Sequence, residues 1–181
     1  MIRNPVGIYE NPGAVCALSD PRAPQAARRL IRLITESEPG LAVEHVGSTA
    51  VPDCDGKGTL DLLVMYGPGG LERAKQVLAD LGFQKQTSRD PFPEDRPMRV
   101  GSLEFEGRRF PIHAHVVARG SAEALELLRF RDRLRADSDL RTAYVTRKRE
   151  IIHKGIADSL EYSILKGVFV RDALDSEKEG P

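Results

Sequence analysis

The sequence predicts an α/β (α+β) domain: a mixed β-sheet of about four to five strands flanked by helices, with a helical C-terminal part. Three observations predict it. Helix-periodic and strand-like apolar runs alternate as far as residue 118. A Glu106-Gly107 turn separates two strand-like runs and makes that pair antiparallel. From Ser121 onward only helix-periodic runs remain. No G-x-G-x-x-G follows a strand, and Gly56-Lys57-Gly58 lacks the Walker spacing, so the pattern belongs to neither the Rossmann nor the P-loop class.

Each element has a local reason. Residues 1–18 carry Pro5, Gly7, Pro12 and Gly13 and read as an irregular arm. Ser19 or Asp20 caps a first helix with Pro21 at or near its first position; Ala23, Ala26, Ala27, Leu30, Ile31, Leu33 and Ile34 form its apolar stripe, and Pro39-Gly40 ends it. Strands over 42–46 and 59–65 follow. Gly67-Pro68-Gly69-Gly70 then precedes a helix with Leu71, Ala74, Val77, Leu78 and Leu81 on one side. Residues 86–97, with Pro91, Pro93 and Pro97, read as an exposed loop. The hairpin strands occupy 98–105 and 109–118. Ser121 caps a helix striped by Leu127, Phe130 and Leu134, and further helices are expected over 140–152 and 157–174, with a frayed tail over 175–181. The domain thus spans 19–174, its helical portion 121–174, with the helices of the sheet on one side.

Length and charge narrow the function classes. A chain of 181 residues supports one domain with a real core. Its 27 basic and 27 acidic residues cancel, so there is no strong nucleic-acid signal and no sign of a membrane-surface protein. No run reaches membrane-spanning length, the first residues lack the apolar core of a signal peptide, and two cysteines outside any CxxC pair make no disulfide framework. A cytoplasmic protein with reduced thiols is expected; composition is silent on oligomeric state.

Four constellations bear chemistry. The strand ending at Val46 runs into Gly47-Ser48-Thr49, where a glycine turn and a capping hydroxyl can receive a phosphate; a plain capped turn is the alternative. Asp61 interrupts an apolar strand, where a carboxylate needs a partner or a metal; Lys57, four residues back, is the simple partner, and Leu63 rather than an acid shares its face. His113 and His115 face one side of a strand about 7 Å apart, suited to one metal, to a ligand and a base, or to a hydrogen-bonded pair, and His45 could join them only from a neighbouring strand. Arg131 and Arg135 share a helix face and could clamp a phosphate, or simply form a solvated surface.

These segments resemble the GrpB-like family, placed in the nucleotidyltransferase superfamily shared with DNA polymerase β. The resemblance rests on His45-Val46-Gly47-Ser48-Thr49-Ala50-Val51-Pro52, Lys57 and Asp61-Leu62-Leu63-Val64, on His113-Ala114-His115-Val116, on Phe130-Arg131-Asp132-Arg133-Leu134-Arg135 with Tyr144 and Lys148, and on Tyr162 with Lys166. It covers about residues 41–170. Asp53-Cys54 and Gly58 depart from the family's usual Gly-Leu and Lys-Pro, no tryptophan is present, and Leu63 stands where active superfamily members carry a second acid. The resemblance implies a nucleotidyltransferase-like fold and a pocket for a nucleotide or phosphorylated small molecule. In that pocket Gly47, Ser48 and Thr49 hold phosphates while Lys57, Arg131 and Arg135 neutralise them. Asp61 with His113 or His115 ligates Mg or Mn. Three functions are compatible with it: nucleotidyl transfer to an unknown small acceptor, a degenerate nucleotide- or phosphometabolite-binding protein, and a hydrolase with a transition metal such as Zn on His113, His115 and His45.

Overall fold

The computed structural model describes residues 4–175. Its elements are α1 (Ala23–Ser37), β1 (Ala42–Val46), a single helical turn (Ser48–Ala50), β2 (Leu60–Tyr66), α2 (Leu71–Asp80), β3 (Gln84–Lys85), β4 (Met98–Phe105), β5 (Arg108–Ala118), α3 (Ala122–Ala136), α4 (Ser138–His153) and α5 (Ser159–Asp175). The sheet order is β1-β2-β5-β4-β3. Every adjacent pair is antiparallel except β2 and β5, which run parallel. The mixed sheet with a helical C-terminal part is therefore as the sequence predicts. The tail beyond residue 175 lies outside the described residues.

Strand parity divides the sheet into two unlike faces. Leu60, Leu62, Val64, Ile112, Ala114 and Val116 pack with Leu30, Ile34, Val77 and Leu78 of α1 and α2 into the main core. The other face carries Asp61, Leu63 and Met65 beside His113, His115 and Val117. Helices do not stay on one side, as the sequence suggests. Ala124 of α3, with Leu127 and Leu128, covers Val46, Leu63, Met65 and Val117 at one end of that second face. α3, α4 and α5 share a core of their own, in which Phe130 meets Tyr144 edge-on at 5.1 Å between centroids. The part of the second face left open by these helices becomes the floor of a cleft.

Local details differ where side chains outvote simple rules. α1 begins at Ala23, not at Pro21, because the Asp20 carboxylate accepts from the Arg22 N–H at 2.9 Å and holds residues 20–22 in a turn first. Ser121 does cap α3, accepting from the Ala124 N–H at 3.3 Å. α4 starts earlier than the apolar stripe, since Asp137 accepts from the N–H groups of Asp139 and Leu140. The Glu106-Gly107 turn has positive φ at both residues, the geometry of a tight two-residue hairpin. The N-terminal arm is irregular yet anchored. Val6 is buried in the main core, and Gly7 bridges Ser102 of β4 through two backbone hydrogen bonds. Both cysteines are free. Among the described residues no helix is long and apolar enough to cross a membrane.

Candidate functional site

The parallel register of β2 and β5 sets Asp61 beside His113 and Leu63 beside His115. His113 Nδ1 lies 3.4 Å from Asp61 Oδ1, and His113 Nε2 lies 2.9 Å from the Tyr9 hydroxyl. With the Nδ1 proton turned to the carboxylate, Nε2 accepts from Tyr9, so the three side chains form one hydrogen-bonded chain. Burial would raise the Asp61 carboxyl, but the hydrogen bond from His113, with nearby His115 and Lys166, holds it below its ordinary value. Gly47 is required here: its φ of +71° and ψ of −172° suit glycine, and a Cβ would stand 2.3 Å from Asp61 Oδ2.

The floor opens into a cleft of about 1200 Å³ walled by the arm, the 86–97 loop and the C-terminal helices. At one end lie Ser48, Thr49, Lys57, Lys148 and Lys166. Lys148 of α4 is buried, and its Nζ donates to Ser48 Oγ at 3.0 Å and to the carbonyl of Asp55 while lying 4.3 Å from the Tyr144 ring centroid. Burial pulls its pKa down. Lys57 Nζ lies 4.6 Å from the Tyr162 ring centroid, and burial, reinforced by Lys166, brings its pKa down to about 8. The other end holds His115, Phe92, Met98 and Leu127. Burial also lowers His115 and favours its neutral form.

The structure gathers Ser48, Thr49, Lys57, Asp61, His113 and His115 around this one cleft, with Gly47 beneath Asp61. It does not bring three other candidates there. His45 lies opposite Leu62, so parity points it to the α1 side of the sheet, where its Nε2 is 2.9 Å from Thr49 Oγ1. Burial pushes His45 down to about 4, against the pull of Asp61. Arg131 donates to Glu44 at 2.9 Å and to the His45 carbonyl at 3.0 Å, and Arg135 donates twice to the Ala50 carbonyl, so both fasten α3 to the β1 end. Tyr9, Phe92, Lys148 and Lys166 also line the cleft and are not among the site residues read from the sequence. Tyr9 and Phe92 sit in loops with no local signal. Lys148 lies four residues after Tyr144 and three before Ile151, both buried, and a lysine in such a stripe is a readable sign of a polar partner. Lys166 follows Tyr162 at the same spacing.

Do these residues fit a Mg or Mn ion? Such ions take several oxygen donors. Asp61 supplies one carboxylate, already set against His113, while Leu63 on the same face is fully buried. Among the described residues no group of three or more His, Cys, Asp or Glu side chains is placed to hold a metal, and His45 is on the far face. The donor set does not fit either ion.

Comparison with known proteins bears on this geometry. The family model described as GrpB protein matches residues 17–176. The chain belongs to the GrpB family. A UPF0157 protein of Halalkalibacterium halodurans is 31% identical over 157 residues, spanning 86% of this chain and 77% of the relative. The crystal structure of conserved protein GrpB from Enterococcus faecalis is similar in fold, with a TM-score of 0.66 at 20% identity, covering 91% of this chain and 100% of that one. A chain of the GLD-2/RNP-8 complex is a more distant likeness, with a TM-score of 0.50 at 14% identity over 73% of this chain and 54% of that one. The chain thus shares the mixed-sheet α+β fold of a solved GrpB protein.

Proposed function

We propose that this GrpB-family chain binds a phosphorylated small molecule of the nucleotide class in the cleft. One observation carries the reading: the Ser48 hydroxyl, Lys57 and Lys166 line the same cleft as the Asp61–His113 pair. Ammonium groups on two separate segments can contact a polyphosphate, and Ser48 is held in place from behind by Lys148. Asp61 repels phosphate, so the anion belongs on the Ser48 side, and a ligand hydroxyl belongs beside His113. With Asp61 on Nδ1, His113 can exchange a proton through Nε2 with a ligand hydroxyl that takes the place of the Tyr9 hydroxyl.

Calorimetric titration with ATP, GTP, CTP and UTP, without and with Mg or Mn, tests this. Binding is expected for at least one triphosphate, weakened about tenfold by Ser48→Ala through the lost hydrogen bond to charged oxygen. No heat with any of the four would sink the proposal. Release of pyrophosphate on adding Mg or Mn would replace binding with nucleotidyl transfer as the function.

A further inference from the structure

The N-terminal arm that walls the cleft is fastened at both ends. At one end Gly7 and Ser102 of β4 exchange two backbone hydrogen bonds, at 2.9 and 3.0 Å. At the other, Ala17 and Gly56 exchange two more, at 2.8 and 3.0 Å. Between these anchors Tyr9, Asn11, Pro12 and Gly13 line the cleft. Tyr9 is the arm residue that meets the Asp61–His113 pair. Its hydroxyl lies 2.9 Å from His113 Nε2, and its ring tilts against the imidazole at 5.5 Å between centroids.

His113 Nε2 is an acceptor that can be reached. With the Nδ1 proton turned to Asp61, the lone pair on Nε2 calls for a donor. The His113 and Asp61 side chains keep 23% and 27% of their surface exposed, so a ligand in the cleft can touch the pair. Tyr9 is half-buried, and burial with Asp61 nearby raises its pKa, which keeps the phenol a donor. A nucleotide has one kind of group that matches this phenol. Its ionised phosphates, placed on the Ser48 side, offer no hydrogen, whereas the sugar attached to them carries hydroxyls. Because Gly7 pins the backbone two residues before Tyr9, the exchange asks only that the Tyr9 side chain turn aside while the arm stays in place.

We infer that the Asp61–His113 pair is a subsite for a sugar hydroxyl of the bound nucleotide, and that Tyr9 fills this subsite until the ligand displaces it. The inference rests on the nucleotide-binding function proposed above. Such an exchange has a signature. The hydrogen bond lost from Tyr9 offsets the one gained by the sugar, so the sugar hydroxyl adds little to affinity while Tyr9 competes, and its full increment shows once Tyr9 cannot.

Calorimetry on the native chain and on Tyr9→Phe tests this with three kinds of probe: the four ribonucleoside triphosphates, their 2′,3′-dideoxy forms and inorganic tripolyphosphate. In the native chain the ribo and dideoxy forms should bind with nearly equal affinity. In Tyr9→Phe the ribo form should bind about fivefold more tightly than in the native chain, the increment of one neutral hydrogen bond, while the dideoxy form and tripolyphosphate stay unchanged. Ribonucleotide affinity that is unchanged or weaker in Tyr9→Phe overturns the inference and leaves nucleotide binding standing. So does an equal gain for the dideoxy form, which would make the effect one of space and not of a hydroxyl. Binding of no nucleotide to the native chain overturns both. Thermal unfolding checks that Tyr9→Phe folds. If it does not, Tyr9→Leu carries the same test with the same expected gain, and no gain there overturns the inference.

Discussion

Gly47→Ala tests the close approach on which the site is built. The substitution places a methyl group 2.3 Å from Asp61 Oδ2, 2.9 Å from Cγ and 3.0 Å from Cβ. It also puts a non-glycine residue at φ +71° and ψ −172°, a region open almost only to glycine. The backbone penalty is about 2 kcal/mol. Pushing Asp61 off His113 adds about 1 kcal/mol for the lost hydrogen bond. A total of about 3 kcal/mol in a chain of this size lowers Tm by about 6 to 12 °C. Thermal unfolding by circular dichroism reads the loss directly. In an Asp61→Ala background the 2.3 and 2.9 Å contacts vanish, so the same Gly47→Ala step should cost only the backbone part, about 2 kcal/mol. A Tm within about 2 °C of the native value would refute the close packing of Gly47 on Asp61.

Other expectations follow from the same geometry. His45 titrates at about 4 in the folded chain against 6.5 ordinarily, so its contribution is present above pH 6.5 and is lost as the pH falls toward 4. Between pH 7 and 5 this amounts to about 2 kcal/mol, and chemical denaturation of native and His45→Gln chains should show that slope only in the former. Lys57 has a pKa of about 8, so tripolyphosphate affinity should fall several-fold between pH 7 and 9. Lys57→Met should bind weakly at both pH values, and an unchanged pH slope in that variant would show that another group is responsible. Arg131→Met removes the bonds to Glu44 and the His45 carbonyl, so stability should drop by about 1 to 2 kcal/mol while triphosphate affinity stays the same. A tenfold affinity loss at native Tm would instead restore Arg131 as a phosphate ligand.

Much of the fold is legible in local chemistry. The apolar stripe of α1, the Glu106-Gly107 hairpin and the Ser121 cap depend on residues within a few positions of one another, and each element stands where these signals place it. Asp61, His113 and His115 are legible as candidates because ionisable groups in apolar strands demand partners. Their mutual placement is not. Whether His45 shares their face depends on the β1–β2 register, and a shift of a single residue would reverse its side. Arg131 and Arg135 share a helix face as their spacing requires, but only the docking of α3 decides that this face meets the backbone of His45 and Ala50 rather than the cleft. Tyr9 is invisible to any local pattern, because it reaches His113 across 104 positions of chain.

By itself, the sequence determined the order of helices and strands apart from the two-residue β3, the Gly47-Ser48 turn, the carboxylate at position 61 and the family these motifs mark. Periodicity and turn chemistry act over a few residues, so they survive without a partner in view. The tertiary structure decided which of the marked groups meet. It paired Asp61 with His113 through a parallel register, sent His45 to the opposite face, buried Lys148 behind Ser48 and left His115 Nδ1 unpartnered at the far end of the cleft. Those outcomes turn on strand register and helix docking, which are settled by burying the whole apolar surface at once and not by any single stretch of chain.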